Sequence, residues 1–498
     1  MSYLLTSLVA LVAYYTLSSI IAWHRLRHFK GPPLASFSYL WMARTALSGE
    51  AWKIHFDNSS KYGEPLIRIG PDVLITDEPD IIRCMGAARS PYRRSSWYNA
   101  FRTDPYFHSM LSTQDEDYHQ DLKSRTAPAY SGREMPSMES DIDGRVADMK
   151  ELIRRKYIST PNATKPMDLA AVAQYFTLDA VTKIAFGKEW GYLATESDVY
   201  SFISSFNEIS PFMALCCDIP WFQTLFFNPF VLKLAGPKET DDWGFGKMMG
   251  ITKEVATKAF KESENQLTML GSFIRHGLTQ RQIENEVPTV VVAGSDTTAG
   301  VIRGTLLYIM TTPRVYQCLQ AEIDDAVRAG NVSSPISQAE AKALPYLQAV
   351  IYEGIRIHPP NQILIPKLVP PGGDTLLGRY FVPGGTRIAV NLLSMMRHKD
   401  TFGEDAYLFR PERWLEVDTE KRQEMERHAE LIFGYGRYMC SGKAVAFLEL
   451  SKIFFELLKE FDFQLIYPKT PWKERQYSVF VLQDMWVRVT ERQIQQES

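Results

Sequence analysis

Cysteine is scarce in this sequence: five in 498 residues, at Cys84, Cys216, Cys217, Cys318 and Cys440, an odd number with no Cys-x-x-Cys spacing. That argues against a zinc knuckle or a disulfide framework and places the bulk of the chain in a reducing compartment. The sequons at Asn58, Asn162 and Asn331 would then stay unglycosylated. A basic excess is missing too. Lys and Arg number 55 against 58 Asp and Glu, and the net charge of −3 gives no support for a nucleic-acid partner. No Gly-x-Gly-x-x-Gly segment marks a dinucleotide-binding module. Fixed-period repeats, low-complexity tracts and a strong internal linker after residue 40 are also lacking. With 45% hydrophobic and 23% charged residues, what remains reads as one large folded unit.

The longest uncharged run is at the N-terminus. Residues 3–23 carry no charge, 21 residues in all, about the length that crosses a bilayer as a helix. The basic stretch from His24 to Lys30 follows and holds its own side in the cytoplasm. The reading is a transmembrane anchor over 1–23 with a lumenal N-terminus, a basic and proline-rich linker over 24–40, and a cytosolic catalytic domain over 41–498. A cleaved signal peptide fits less well: the run is long, its charges lie on the wrong side, and no small-x-small site ends it. Gly31, Pro32 and Pro33 make a stiff break after the anchor.

Apolar spacing predicts helices over about 115–129, 138–157, 168–186, 240–262, 280–310, 313–328, 343–357 and 442–460. Strand-like runs occupy 66–69, 73–76, 387–390 and 478–489. The fold class is mainly α with small β-sheets. Residues 201–235 are rich in Phe, Met and Trp, which reads either as ordinary core or as a greasy rim near a membrane.

The most informative segment runs from Phe433 to Gly442. Its glycines let backbone pass close to a flat group. Cys440 then precedes an amphipathic helix carrying Ala444, Val445, Phe447, Leu448, Ile453 and Phe454. Free N–H groups and partial positive charge at a helix start favour thiolate over thiol. The segment resembles the haem-binding loop of the cytochrome P450 family, Phe-x-x-Gly-x-Arg-x-Cys-x-Gly, in the variant form of fungal pisatin-demethylase-like members. Phe433, Gly436, Cys440 and Gly442 match in place. The arginine expected two residues before the cysteine is Tyr438 here, and Arg437 lies one position earlier, which puts an Arg437–propionate contact in question but not the thiolate.

Four further motifs keep family order. Glu353 and Arg356 share a helix face, and Pro411-Glu412-Arg413-Trp414 resembles the segment that completes a buried triad of Glu353, Arg356 and Arg413, bracing the cysteine loop. The stretch Ala293-Gly294-Ser295-Asp296-Thr297-Thr298 gathers poor helix formers in a long helical pattern and predicts a local distortion. By resemblance it lies over the iron, with Asp296 and Thr297 as the acid–alcohol pair that relays protons. The segment from Tyr118 to Arg125 resembles the helix that contacts the propionates, with His119 and Lys123 in the matching places, and Lys367 stands where a propionate-binding arginine is usual.

The resemblance implies a cytochrome P450 fold behind one N-terminal transmembrane helix. It also implies haem b with Cys440 as axial ligand, and insertion of one atom of O2 into a lipophilic small molecule of fungal secondary metabolism. NADPH–cytochrome P450 reductase is the implied electron donor and the endoplasmic reticulum membrane the implied location. The pocket would be lined by the 92–112 loop, Val290 to Ala293, Asn361 to Leu364 and the turn from Tyr477 to Leu482. Phe101, Phe107, Ile363, Leu364, Val479 and Phe480 would make it largely apolar. A haem–thiolate isomerase or dehydratase, a non-catalytic haem protein and a haem-free membrane scaffold are the rival readings.

Overall fold

The structure, a computed structural model, describes residues 2–262, 267–477 and 480–492. Its scaffold rests on helices whose ends are written in the chain. Gln280–Thr311 starts where Thr279 and Gln282 form a reciprocal capping box, which satisfies donors of the first turn. Val301, Ile302, Leu306 and Ile309 are all buried, so its C-terminal half is a core helix rather than a surface one. Leu169–Phe186 crosses beside it. That helix begins on the Asp168 carboxylate, which accepts from the Ala170 N–H at 3.0 Å, and stops at Gly187, whose φ is +77°. Glycine holds this left-handed closing position without strain.

The five-stranded sheet has the order Ile67–Arg68, Val73–Thr76, Arg387–Val390, Lys367–Leu368, Arg93–Arg94. Val73 pairs with Arg387 and Thr76 with Val390 in parallel, and both strands are buried throughout, as parallel strands usually are. Pro166–Asp168, Trp486–Glu491 and Phe461–Leu465 form a second sheet. The expected strand run 478–489 is two strands, Phe480–Gln483 and Trp486–Glu491, in different sheets. Between them Asp484 takes φ +60° and turns the chain. Ser478 and Val479 lie outside the described residues.

Ser2–Arg25 forms a helix long and apolar enough to cross a membrane. Its last carbonyls are met by Arg68, a buried side chain of the main sheet. The guanidinium donates to Ala22 O at 2.8 Å, Trp23 O at 3.3 Å and Ser36 O at 2.9 Å, supplying donors that a helix C-terminus lacks. The stretch 201–235 shows both sides of its composition. Cys216 and Cys217 are buried, while Phe212, Trp221, Leu225, Phe230 and Leu234 are exposed.

Candidate active site

Cys440 sits at the end of a tight loop. Gly434 and Gly436 have φ of +79° and +56°, and a Cβ at Gly436 would lie 2.2 Å from the Gly86 carbonyl. Both positions therefore require glycine. The Cys440 N–H donates to Phe433 O at 2.6 Å, and Phe433 packs its ring 5.6 Å from that of Phe447. Lys123 braces the loop by donating to Arg437 O and Met439 O, each at 2.8 Å. Helix Lys443–Glu460 begins at once behind it. Burial pushes the Cys440 thiol up, while the N–H groups of Gly442 and Lys443 and the charges of Lys123 and Lys443 pull it down. The cysteine is nonetheless exposed. Ala293, midway along the central helix, is likewise exposed and Thr297, one turn on, is half-exposed.

Asp296 and Thr297 are adjacent in sequence but turn apart. Thr297 Oγ1 donates to Ala293 O at 2.7 Å. Asp296 is buried against Leu169–Phe186 and accepts from Gln174 Nε2 at 2.5 Å. Burial raises its carboxyl to about 6, opposed by Arg303 and by the Gln174 bond. Arg303 in turn donates to Ala170 O at 2.8 Å and to Gln174 Oε1 at 3.2 Å. The expected local distortion is absent: the helix runs unbroken from Gln280 to Thr311. Gly294 serves packing instead, since a Cβ there would lie 2.9 Å from Val181 Cγ2. The Thr297 hydroxyl is accommodated by bonding back along the helix.

The basic residues singled out in the sequence do converge, and they bring Arg94 with them. Lys367 is buried. Its ammonium donates to the Tyr98 hydroxyl and lies 3.7 Å from the centre of the Tyr438 ring. Burial first, then Arg94 and Arg437, drive its pKa well below the usual lysine value. His119 is pushed down to about 3 by burial and by Arg94, Lys123, Lys367 and Arg437, and its Nδ1 has no partner. Arg437 donates to Ser90 O at 2.7 Å and Tyr92 O at 2.6 Å. A carboxylate among them is Glu116, which accepts from the Arg94 N–H at 3.0 Å and from the Tyr438 hydroxyl at 2.7 Å. Arg94, Lys367, Lys123 and Arg437 gathered here, with Arg94 Nε and Arg437 Nε unpartnered, are a donor set that suits an anionic group with two carboxylates. A porphyrin dipropionate with its iron at Cys440 fits that chemistry.

Glu353, Arg356 and Arg413 form a buried cluster. Glu353 accepts from Arg356 at 2.7 and 2.8 Å, from Arg413 Nε at 3.0 Å, from the Arg410 N–H at 2.7 Å and from Trp414 Nε1 at 2.9 Å. Such saturation is what allows charge to persist in a core. Of the expected pocket residues, Ile363 packs with Trp97, Phe101 and Leu111, whereas Leu364 points the other way into the core beside the main sheet. Phe480 stacks 4.6 Å from His358 and Phe107 lies under Arg281. Val479 falls outside the described residues.

Sequence reasoning missed Arg94, Glu116 and Tyr98, and also Glu449, which is buried, bonded to Thr298 and raised to about 8 by burial. Nothing local distinguishes these residues from surface ones, because their partners lie far away in the chain.

Residues 30–486 match the profile of the family described as Cytochrome P450. The chain is 46% identical to the cytochrome P450 monooxygenase ABA1 of Pyricularia oryzae, across 98% of its length and 97% of that protein's. It is 47% identical to the cytochrome P450 monooxygenase aba1 of Botryotinia fuckeliana, over 94% and 92% respectively. The crystal structure of the cytochrome P450DA heme domain aligns with a TM-score of 0.74 over 93% of this chain and 98% of that one. At 17% identity this is a likeness of fold.

Proposed function

Because the chain belongs to the cytochrome P450 family and is a monooxygenase, we propose that it oxygenates a lipophilic small molecule in fungal secondary metabolism. In this reading it uses haem b and O2, is anchored in the endoplasmic reticulum membrane by residues 1–23, and takes electrons from NADPH–cytochrome P450 reductase. The reading is carried by Cys440: an exposed cysteine just before a helix start, near Lys123 and a group of cations around Tyr438.

Haem, when bound, supplies the oxygen-activating chemistry, and the protein supplies ligation, orientation and protons. Cys440 would hold the haem iron through its sulfur, and the N–H groups of Gly442 and Lys443 favour the thiolate against the burial that opposes it. Phe433, Gly436 and Gly442 shape the loop around it. Arg94 and Lys367 would hold the propionates, and Lys123 and Arg437 would add charge while their N–H groups hold the loop. His119, neutral, adds an uncharged ring nitrogen. Glu353, Arg356 and Arg413 keep the segment before the loop rigid. Thr297 holds a proton at Oγ1 on the accessible face of the central helix. Asp296, whose carboxyl burial raises to about 6, is held on the opposite side by the Gln174 amide, which Arg303 holds in turn.

The test is the reduced, carbon monoxide-treated spectrum of the full-length protein and of Cys440→Ala. A red-shifted thiolate Soret band in the first that is lost in the second is expected. A folded wild type that binds haem without that band would overturn the assignment.

A further inference from the structure

Asp218 is the last residue of helix Phe202–Asp218, which puts a carboxylate at the negative end of a helix dipole. Its surroundings are apolar: Cys216 and Cys217 precede it, Ile219 follows, and Trp97, Phe222, Phe226 and Ile363 belong to the cluster around them. The partner of the carboxylate is the Trp97 indole N–H at 3.4 Å, a long contact for a charged acceptor. The nearest guanidinium, Arg387, is bound by Asp72 at 2.9 and 3.2 Å, and Asp72 also accepts from Tyr39 at 2.7 Å. Burial raises the Asp218 carboxyl to about 7. Asp218 still keeps half-buried, accessible surface within this enclosed setting.

A carboxyl group so placed works against the helix that carries it and, among the described residues, gains only the distant attraction of Arg387 in return. Aromatic contacts also link it to the basic group. The Lys367 ammonium lies 4.5 Å from the Tyr98 ring, the Tyr98 and Trp97 rings are 5.2 Å apart, and Trp97 meets Asp218. Two aromatic side chains therefore separate Asp218 from the basic group assigned to the propionates, and their neighbours Phe101, Leu111 and Ile363 line the expected pocket.

We propose that Asp218 binds a hydroxyl group of the substrate, so that this enzyme acts on a lipophile that already carries an alcohol. The proposal rests on the haem monooxygenase reading. An alcohol matches the site better than an ammonium group does. It enters an apolar enclosure at lower desolvation cost, and it can donate to the ionised carboxyl or exchange bonds with the protonated one.

The experiment titrates the full-length, haem-loaded protein with matched pairs: dodecane and dodecanol, cyclododecane and cyclododecanol, adamantane and adamantanol. The readout is the Soret shift on binding, for wild type, Asp218→Asn and Asp218→Leu. In wild type the alcohol of each responding pair should bind about tenfold tighter, the worth of one net hydrogen bond. Asp218→Leu should bring the two affinities together while leaving that of the hydrocarbon unchanged. Asp218→Asn, which still accepts a hydrogen bond, should keep most of the preference. Equal affinities in wild type, or a preference that survives in Asp218→Leu, would overturn the proposal. A normal carbon monoxide band with no response to any pair would overturn the lipophilic-substrate reading and the proposal with it. Absence of the band would overturn the haem assignment and, with it, the proposal that rests on it.

Discussion

Tyr438 stands where a guanidinium two residues before the cysteine would be usual, and it gathers charge rather than carrying it. Lys367, Arg437 and Arg94 lie 3.7, 5.0 and 5.4 Å from its ring centre, within the range where an aromatic face attracts cations. Its hydroxyl is fixed on Glu116, so the ring is held in place for them. Cys440 was legible because its glycines are neighbours in the chain. Arg94 and Glu116 were not, since their meeting depends on strand Arg93–Arg94 and helix Glu116–Tyr130 coming together. The sequence also could not tell that Asp296 and Thr297 turn to different faces, which gives them separable roles. Thr297→Ala should lower product formed per NADPH consumed by roughly 10²-fold, with hydrogen peroxide making up the difference. Simultaneous assay of product, peroxide and NADPH decides this, and unchanged coupling would remove Thr297 from the relay.

At the level of elements, apolar periodicity placed the eight helices it named within a few residues, because a helix that buries one face must repeat near 3.6, but it named none at Ala51–Tyr62, Phe202–Asp218 or Thr419–Ala429. It failed where two elements adjoin with no change of pattern, as at Asp484, whose left-handed backbone divides what reads as one strand. It also misread Gly294. A glycine among Ser and Thr looks like a helix defect, yet here it lets two helices approach at Val181, and only the partner helix reveals that. Gly294→Ala should destabilise the protein by roughly 1–3 kcal/mol through overpacking. In a Val181→Ala background the same change should turn neutral or stabilise by up to about 1 kcal/mol, the helix preference of Ala over Gly. Denaturant midpoints for the four proteins of this cycle measure the coupling. Additive effects would show that the two side chains do not compete for space.

For the whole molecule, acid sensitivity follows from buried neutral histidines. His428 lies with Nε2 3.1 Å from Met395 O and Nδ1 2.9 Å from the Thr401 hydroxyl, a setting that one neutral tautomer satisfies. Burial, helped by His398, lowers it to about 4, and burial alone lowers His55 to about 4. Both folded-state values lie below the unfolded value near 6.5, so the unfolded chain takes up protons first as pH falls. Each histidine's contribution is intact above about pH 6.5 and is lost progressively toward pH 4, up to about 3 kcal/mol apiece. Unfolding by urea between pH 7 and pH 4.5 should show this decline, and His428→Gln should flatten it. An unchanged slope would mean that the ring is already protonated in the folded state.

Arg68 has a mechanical consequence. A catalytic body on a slack leash tumbles freely at the bilayer surface. Here the last turn of the apolar N-terminal helix is pinned by a guanidinium rooted in the main sheet, and Arg25 reaches from the same turn to Thr386 beside that sheet. With that helix set in a membrane, tilt is restrained and spinning about the membrane normal is the freedom left. The enzyme then meets its partners as a gyroscope on a fixed axle does, always at the same latitude.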